Sequence, residues 1–200
     1  EDLIQSVHLK KRDYGIIHYD SPDKRGIDVA LLYQKKYFKP VFHEPFNPNL
    51  YKNNRKVYTR DQLLVSGVLD GEEIHVIVNH WPSRSGGEAR SRPKRVKAAE
   101  LNKRIIDSLQ TDDPYAKVII MGDFNDDPIN KSLVEVLEAT AKKNRAVKNN
   151  TLYNPMMTFY KQGVGTSSRR DAWHVLDQIH VSGGLLTTTP SAWRFWKAGI

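Results

Sequence analysis

Two segments of this sequence end in side chains that can perform acid–base chemistry, and the first is residues 117–128. Its letters, KVIIMGDFNDDP, run from an apolar stretch into Gly122, Asp123 and Asn125. An apolar run of this kind predicts a strand that is buried on both faces. On an extended chain Asp123 and Asn125 point to the same side at the end of that strand. The same letters are also typical of a turn, because Asp and Asn side chains bond to nearby backbone.

The second segment, residues 74–84, reads IHVIVNHWPSR and ends in Asn79, His80 and Arg84. It alternates, becomes apolar and then stops at polar side chains before a Pro, which again predicts a strand end. A third segment, WHVLDQIHVS at residues 173–182, places Asp177 before another apolar run. We expect the carboxyl ends of three separate strands to converge on one pocket that holds Asp123, His80 and Asp177.

Taken together, the motifs N-H-W-P-S-R, G-D-F-N-D and the late strand with a single acid resemble the endonuclease/exonuclease/phosphatase superfamily, and its bacterial members in particular. The resemblance implies an α/β (α+β) fold of the DNase I-like type, a four-layer αββα sandwich of two mixed β-sheets. Residues 1–200 are then a single domain of this family. The residue pattern by itself gives only mixed α/β with several hairpins.

The resemblance also implies roles for the strand-end residues. Asp123 would orient and deprotonate the attacking water, and Asn125 would position the phosphate or the nucleophile. His80 would donate a hydrogen bond to the phosphoryl oxygen or the leaving group, and Asn79 would help to align His80. Asp177 would orient a further histidine or assist at a metal ion.

Asp28 is a carboxylate in the apolar segment 27–33, where it is costly unless it is paired. It would either pair with a basic group such as Arg25 or, as the resemblance implies, lie near His80 and fix the tautomer of that imidazole. Both alternatives remain open from the sequence.

Oxygen ligands without thiolates favour Mg²⁺ or Mn²⁺ over structural zinc and also suit Ca²⁺, and the chain has no cysteine. By resemblance, Asp123 and Asn125 would form part of the metal site. The family's principal Glu ligand and its terminal Ser-Asp-His motif are not recognisable here. We therefore expect a partial domain, incomplete at both ends, that binds Mg²⁺ poorly and is weakly active.

The charge balance favours a polyanionic partner. Lys and Arg total 31 against 23 acids, which gives a net charge of +8 and a pI near 9.5. Candidate phosphate contacts are Arg84, Arg90 and Arg95, in a Ser/Gly loop and at the start of a helix, and Arg60 at the mouth of a hairpin. Each of these could instead be a solvated cation.

Several elements must position these residues. The pattern predicts strands at 15–19 and 27–33, a hairpin of 59–69 with 73–81 across Asp70-Gly71, and a helix that continues to Leu109. It also predicts a helix that starts at Asn130 and ends at Lys143, the tail of a helix at 1–12 and a long surface loop at 40–58. Residues 163–170 are expected to be a loop near the mouth of the site, and Trp193, Phe195 and Trp196 a core cluster.

Three functions are compatible with these patterns. The first is metal-dependent phosphodiester hydrolysis, most simply by an endonuclease on DNA or RNA. The second is a phosphatase or a lipid or small-molecule phosphodiesterase of the same fold. The third is a catalytically incompetent nucleic-acid-binding module. No apolar run approaches the length of a membrane span, and the sequence indicates no protein partner and does not distinguish a bacterial cytoplasmic from a secreted protein.

Overall fold

The computed structural model describes residue 6 and residues 9–169, 171–187 and 192–200, apart from the side chain of Lys52. The elements in chain order are β1 (Tyr14–His18), β2 (Ala30–Gln34), β3 (Phe38–Phe46), β4 (Leu50–Lys52), β5 (Arg55–Val57), β6 (Gln62–Leu69), β7 (Glu72–His80), α1 (Glu88–Asp112), β8 (Val118–Asp123), a π-helix (Ser132–Val136), α2 (Lys143–Asn149), β9 (Leu152–Tyr153), α3 (Met156–Lys161), β10 (Ser167–Arg169), β11 (Ala172–His174) and β12 (Asp177–Ser182).

A mixed sheet of six strands forms the centre of the protein, in the order β3-β6-β7-β8-β12-β9. Strands β7 and β8 are parallel, and β12 runs antiparallel to β8. Strand β8 therefore lies in the interior of the sheet, as its apolar sequence predicts, and Val118 and Ile120 are fully buried.

The two faces of this sheet carry separate apolar clusters. On one face, α1 supplies Ala98, Ala99, Leu101 and Ile105 to a cluster that includes Ile77, Ile120 and Phe124. On the other face, Ile17 of β1 and Leu31 of β2 pack with Leu63, Val65 and Val78 of the central sheet. Strands β1 and β2 pair as an antiparallel ribbon. A helix layer, the central sheet and a second, smaller sheet are thus stacked, which agrees with the expected mixed sandwich.

The β6–β7 hairpin closes as predicted. Leu69 pairs with Glu72, so Asp70 and Gly71 alone form the turn. Both have positive φ, 46° and 94°, which is the conformation that a two-residue turn of type I′ requires.

The prediction of a surface loop at residues 40–58 is wrong. Most of this segment lies in β3, β4 and β5, and β3 pairs with β6 at the edge of the central sheet. Edge strands tolerate Pro because one side of the strand needs no partner, and the pairing shifts by a bulge between Pro40 and Phe42. The prediction of a loop rested on the Pro and Asn residues of this segment, which are uncommon in strands.

The helix predicted from Asn130 to Lys143 is also wrong. Only the short π-helix forms, and the chain leaves it at Glu138, whose φ is +54°. The Asn130 side chain does not cap this helix, because its Oδ1 accepts from the backbone N–H of Asp127.

Two further predictions concern the ends of the chain. Of the helix tail at 1–12, residues 10–12 form a 3₁₀ turn, and residues 1–5, 7 and 8 lie outside the described part. The three C-terminal aromatics do not form a core, since Trp196 is 78% exposed and Trp193 is 44% exposed. No helix in the described part of the chain combines the length and the apolar character that crossing a bilayer requires.

Candidate active site at the end of the central sheet

His80, Asp123 and Asp177 lie side by side on three adjacent strands. Asp123 pairs with His80 of β7 on one side and with Asp177 of β12 on the other. The Nε2 atom of His80 is 3.6 Å from Oδ2 of Asp123. The expectation of three carboxyl ends needs one correction: β12 is antiparallel, so Asp177 stands at its start. We call His80, Asp123, Asn125 and Asp177 the strand-end cluster.

Gly122 allows β8 to approach β7 closely at this point. Its φ is +127°, and a Cβ atom there would lie 2.0 Å from the carbonyl oxygen of Asn79. The next turn is fixed by Asn125, which has φ +50° and whose N–H donates to Asp123 Oδ1 over 2.8 Å. The Asn125 Nδ2 donates to the carbonyl of Trp81 at 3.0 Å, so the amide ties the end of β8 to that of β7.

Burial shifts the ionisation of the cluster. Desolvation, with help from the positive charges of Arg60 and Arg25, lowers the pKa of His80 to about 4, so this imidazole is neutral at pH 7. Desolvation also raises the pKa of Asp123, and the nearby Asp177 carboxylate adds to the effect, while the hydrogen bond from Asn125 opposes it. A neutral imidazole therefore faces a carboxylate that is more basic than a solvated one.

Arg60 is buried and is not the solvated or phosphate-contacting cation that the sequence suggested. Its Nε donates to the carbonyl of His80 at 3.1 Å, and its Nη2 donates to the carbonyl of Trp81 at 2.5 Å. Its Nη1 donates to Asp23 at 3.1 Å. Arg60 thus holds the end of β7 in place.

The three other residues predicted to contact phosphate have different environments. Arg95 is completely buried, and its Nε donates to Asp126 Oδ1 at 2.6 Å, which corrects its assignment as a substrate ligand. Arg84 is half-buried and bonds to the carbonyl of Asn125 and to Asp127. Arg90 is exposed.

Asn79 lies away from its predicted role, whereas Asp28 meets one of its two alternatives, because it pairs with a basic group, His18. The Asn79 Oδ1 accepts from Trp81 Nε1 at 2.9 Å and from Asn102 Nδ2 at 2.7 Å, so this amide supports buried packing and is not a hydrogen-bond partner of His80. Asp28 precedes β2, and its carboxylate accepts from Ser21 and from His18. Arg25 pairs with Asp23 instead.

Sequence reasoning missed a histidine and an aspartate beside the cluster. His174 Nδ1 donates to Asp127 Oδ2 at 2.8 Å. His174 lines a cleft of about 760 Å³ together with Asn125 and Arg84. The only signal in the sequence was that both residues stand next to the quoted motifs, in D-F-N-D-D and W-H-V-L-D.

Carboxylate and amide oxygens are the ligands available for a metal ion at the strand ends. The donor set fits a hard cation, because Mg²⁺ commonly uses one or two protein carboxylates with water and substrate phosphate. Desolvation and, to a smaller extent, the Asp177 charge raise the pKa of Asp123, and a cation at this position would stabilise the ionised carboxylate. A second possible metal site lies outside the strand-end cluster. Among the described residues, His18, Asp20 and Asp28 have potential ligand atoms within 4.8 Å of one another, near the protein surface.

The sequence profile described as Endonuclease/Exonuclease/phosphatase family matches residues 1–200. The chain belongs to the endonuclease/exonuclease/phosphatase family. No curated protein is similar enough in sequence to be matched.

Solved structures of the same fold are similar at low sequence identity. The human Nocturnin catalytic domain is 19% identical with a TM-score of 0.54, over 88% of this chain and 63% of that one. TDP2 from C. elegans is 15% identical with a TM-score of 0.59, over 91% and 50%. ANGEL2, described as a 2′,3′-cyclic phosphatase, is 13% identical with a TM-score of 0.62, over 92% and 67%. The chain thus spans 50% to 67% of these three structures, and the DNase I-like fold of the family is confirmed.

Proposed function

We propose that this protein hydrolyses phosphodiesters with the help of a divalent metal ion, and that its substrate is DNA or RNA. The observation that carries the proposal is the row of His80, Asp123 and Asp177 on three adjacent strands. Phosphodiester hydrolysis needs an activated water and stabilisation of charge on the phosphoryl oxygens. A basic carboxylate beside a neutral imidazole suits both requirements.

In this proposal Asp123 orients the attacking water and accepts its proton on a carboxylate oxygen that does not hold the metal ion. His80 is neutral and donates one N–H to a phosphoryl oxygen or to the leaving group. Asn125 holds Asp123 in position through its backbone N–H. Asp123 and Asp177, with the Asn125 amide oxygen, would hold Mg²⁺ or Mn²⁺, which supplies charge neutralisation at the phosphate.

The net charge of +8 supports a nucleic acid rather than a small phosphoester as substrate. A phosphatase or a lipid or small-molecule phosphodiesterase is the second candidate, because a structural neighbour from Bacteroides thetaiotaomicron is described as a mannosyl-6-phosphatase, at 18% identity and a TM-score of 0.54. The bacterial origin of the chain stays a prediction.

The test is cleavage of supercoiled plasmid and of single-stranded RNA with Mg²⁺, Mn²⁺ or EDTA. We expect cleavage that EDTA abolishes, and a loss of about 10²–10⁴-fold in Asp123→Asn and in His80→Ala, as for other groups that transfer or stabilise a proton. Asp112→Asn, an exposed carboxylate at the end of α1, is the matched control and should retain activity.

Two model substrates separate the candidates. Hydrolysis of bis(p-nitrophenyl) phosphate without hydrolysis of p-nitrophenyl phosphate supports a diesterase, and the reverse supports a phosphatase. Binding of nucleic acid without hydrolysis of any substrate would leave only a binding module.

A further inference from the structure

The cleft beside the strand-end cluster has one wall that the proposed reaction does not use. This wall is the hairpin of β10 and β11, which contributes Ser167, Arg169 and His174. The opposite wall is the loop from Ser83 to Glu88. Asn125 belongs both to the cleft and to the cluster, so the cleft adjoins the cluster at this residue.

His174 is held in a fixed orientation with one ring nitrogen left for a ligand. Asp127 accepts from His174 Nδ1, and it also accepts from the backbone N–H of Val175 at 2.9 Å and from Arg84 at 3.0 Å. In the described part of the chain, His174 Nε2 has no hydrogen-bond partner. A histidine that is anchored through Nδ1 by a carboxylate presents Nε2 to a ligand, and an anion bound there favours the doubly protonated ring, in which both nitrogens donate.

The β10–β11 hairpin also places Arg169 in the lining of the cleft that contains His174. Residues 167 and 169 of β10 alternate with 168, so Ser167 and Arg169 lie on one face, and Ser167 pairs with His174 across the hairpin. Arg169 is exposed and forms no ion pair with any described residue.

The lining of the cleft favours an anion. Arg169 is its cation without a carboxylate partner among the described residues, Arg84 is already paired with Asp127, and Glu88 is the single acid of the described lining. Both carboxylate oxygens of Glu88 are already engaged by Arg92, at 3.0 and 2.8 Å. The volume of about 760 Å³ exceeds what one phosphate needs and is of the size that small-molecule sites have.

We propose that this cleft binds a second phosphate of the substrate strand, next to the phosphodiester that is hydrolysed, with His174 Nε2 and Arg169 as its direct ligands. The inference rests on the proposed function and narrows it: the preferred substrate is a strand that carries at least two phosphates. Arg84 and Asp127 are positioning residues in this arrangement, because they fix the imidazole without having to touch the ligand.

The first experiment compares thymidylyl-thymidine, which has one internal phosphodiester, with the same dinucleotide carrying an added 5′ or 3′ terminal phosphate. We expect the added phosphate on one end to raise kcat/KM by about tenfold or more, the typical contribution of one or two charge-assisted hydrogen bonds. In His174→Gln and in Arg169→Ala, the ratio of kcat/KM with the added phosphate to kcat/KM without it should fall toward one. Ser168→Ala, on the opposite face of β10, should keep it.

The second experiment measures binding of the same compounds, labelled with a fluorophore, by anisotropy, and it does not need turnover. The wild-type protein should bind the phosphorylated dinucleotide more tightly than the unphosphorylated one, and the double variant His174→Gln/Arg169→Ala should lose that preference. Equal binding by the wild-type protein, or a preference that survives in the double variant, would overturn the second-phosphate site. A preference without hydrolysis would keep this site and remove the proposed reaction.

Discussion

Arg95 and Asp126 are both completely buried, and the Arg95 Nε donates to Asp126 Oδ1 at 2.6 Å. The pair joins the first turns of α1 to the loop that follows β8, and that loop carries Asn125 and Asp127. Arg95 Nη1 also donates to Ser91 Oγ at 2.8 Å, and Ser132 Oγ donates to Asp126 Oδ2 at 2.6 Å. Arg95, which the sequence predicts as a phosphate contact, therefore has a structural role: it stabilises the loop that carries Asn125 and Asp127.

Arg95→Met should lower the free energy of unfolding by about 3–5 kcal/mol, because it leaves the Asp126 carboxylate buried without its partner. Urea denaturation followed by circular dichroism measures this. The double variant Arg95→Met/Asp126→Leu should recover part of the loss. Arg92→Met, which removes an exposed ion pair with Glu88, should cost no more than about 1 kcal/mol; a similar loss for both single variants would contradict the assignment.

Gly122→Ala should destabilise the protein by at least about 2 kcal/mol, because the new Cβ would collide with the Asn79 backbone at a φ that L residues rarely adopt. The melting temperature and the rate of plasmid cleavage should both fall, because the collision moves β7 and β8 apart. Gly199→Ala meets no atom within 4 Å and is the control. Normal stability of Gly122→Ala would show that the two strands can separate without cost.

Asp123→Asn should be more stable than the parent protein at pH 7, although we expect it to lose most of the proposed activity. The pKa of Asp123 is raised in the folded state, so ionisation of this carboxylate opposes folding, and its contribution to stability is lost as the pH rises through the folded pKa. The advantage of the variant should shrink at acid pH, where the parent is protonated. A variant less stable than the parent at pH 7 would argue against this balance, as measured by urea denaturation at several pH values.

The protein should lose stability as the pH falls below about 6.5. The buried ring of His180, which packs near Phe124, has a pKa lowered by desolvation to about 3, so unfolding takes up a proton between the folded and the unfolded values. His80, whose folded pKa is about 4, takes up a second proton on unfolding in the same range, and each such proton changes the free energy of unfolding by about 1.4 kcal/mol per pH unit. His180→Phe should reduce the slope between pH 6 and pH 4 by this amount, and an unchanged slope would mean that His180 is not the group that titrates.

The features that sequence predicted correctly depend on neighbours in the chain. Short-range sequence patterns predict three such features: the Asp70-Gly71 turn, the buried strand before Asp123 and the long helix α1. The errors arise from partners that are far apart: Arg60 bonds to Asp23 across 37 positions and Arg95 to Asp126 across 31. His174 and Asp127 are 47 positions apart, so neither appeared as half of a pair. For the same reason, Pro40 could not be assigned to an edge strand before its partner β6 was known.

Arg60 has a consequence for communication across the molecule. One guanidinium grips both the carbonyl of His80 and the carboxylate of Asp23, which lies in the connection between β1 and β2. This side chain thereby links the connection within the small ribbon to the backbone of His80, in addition to the apolar packing of the ribbon on the sheet. We expect a molecule that displaces the 21–26 connection to loosen the end of β7, so that a contact made away from the cleft changes the rate of the proposed hydrolysis.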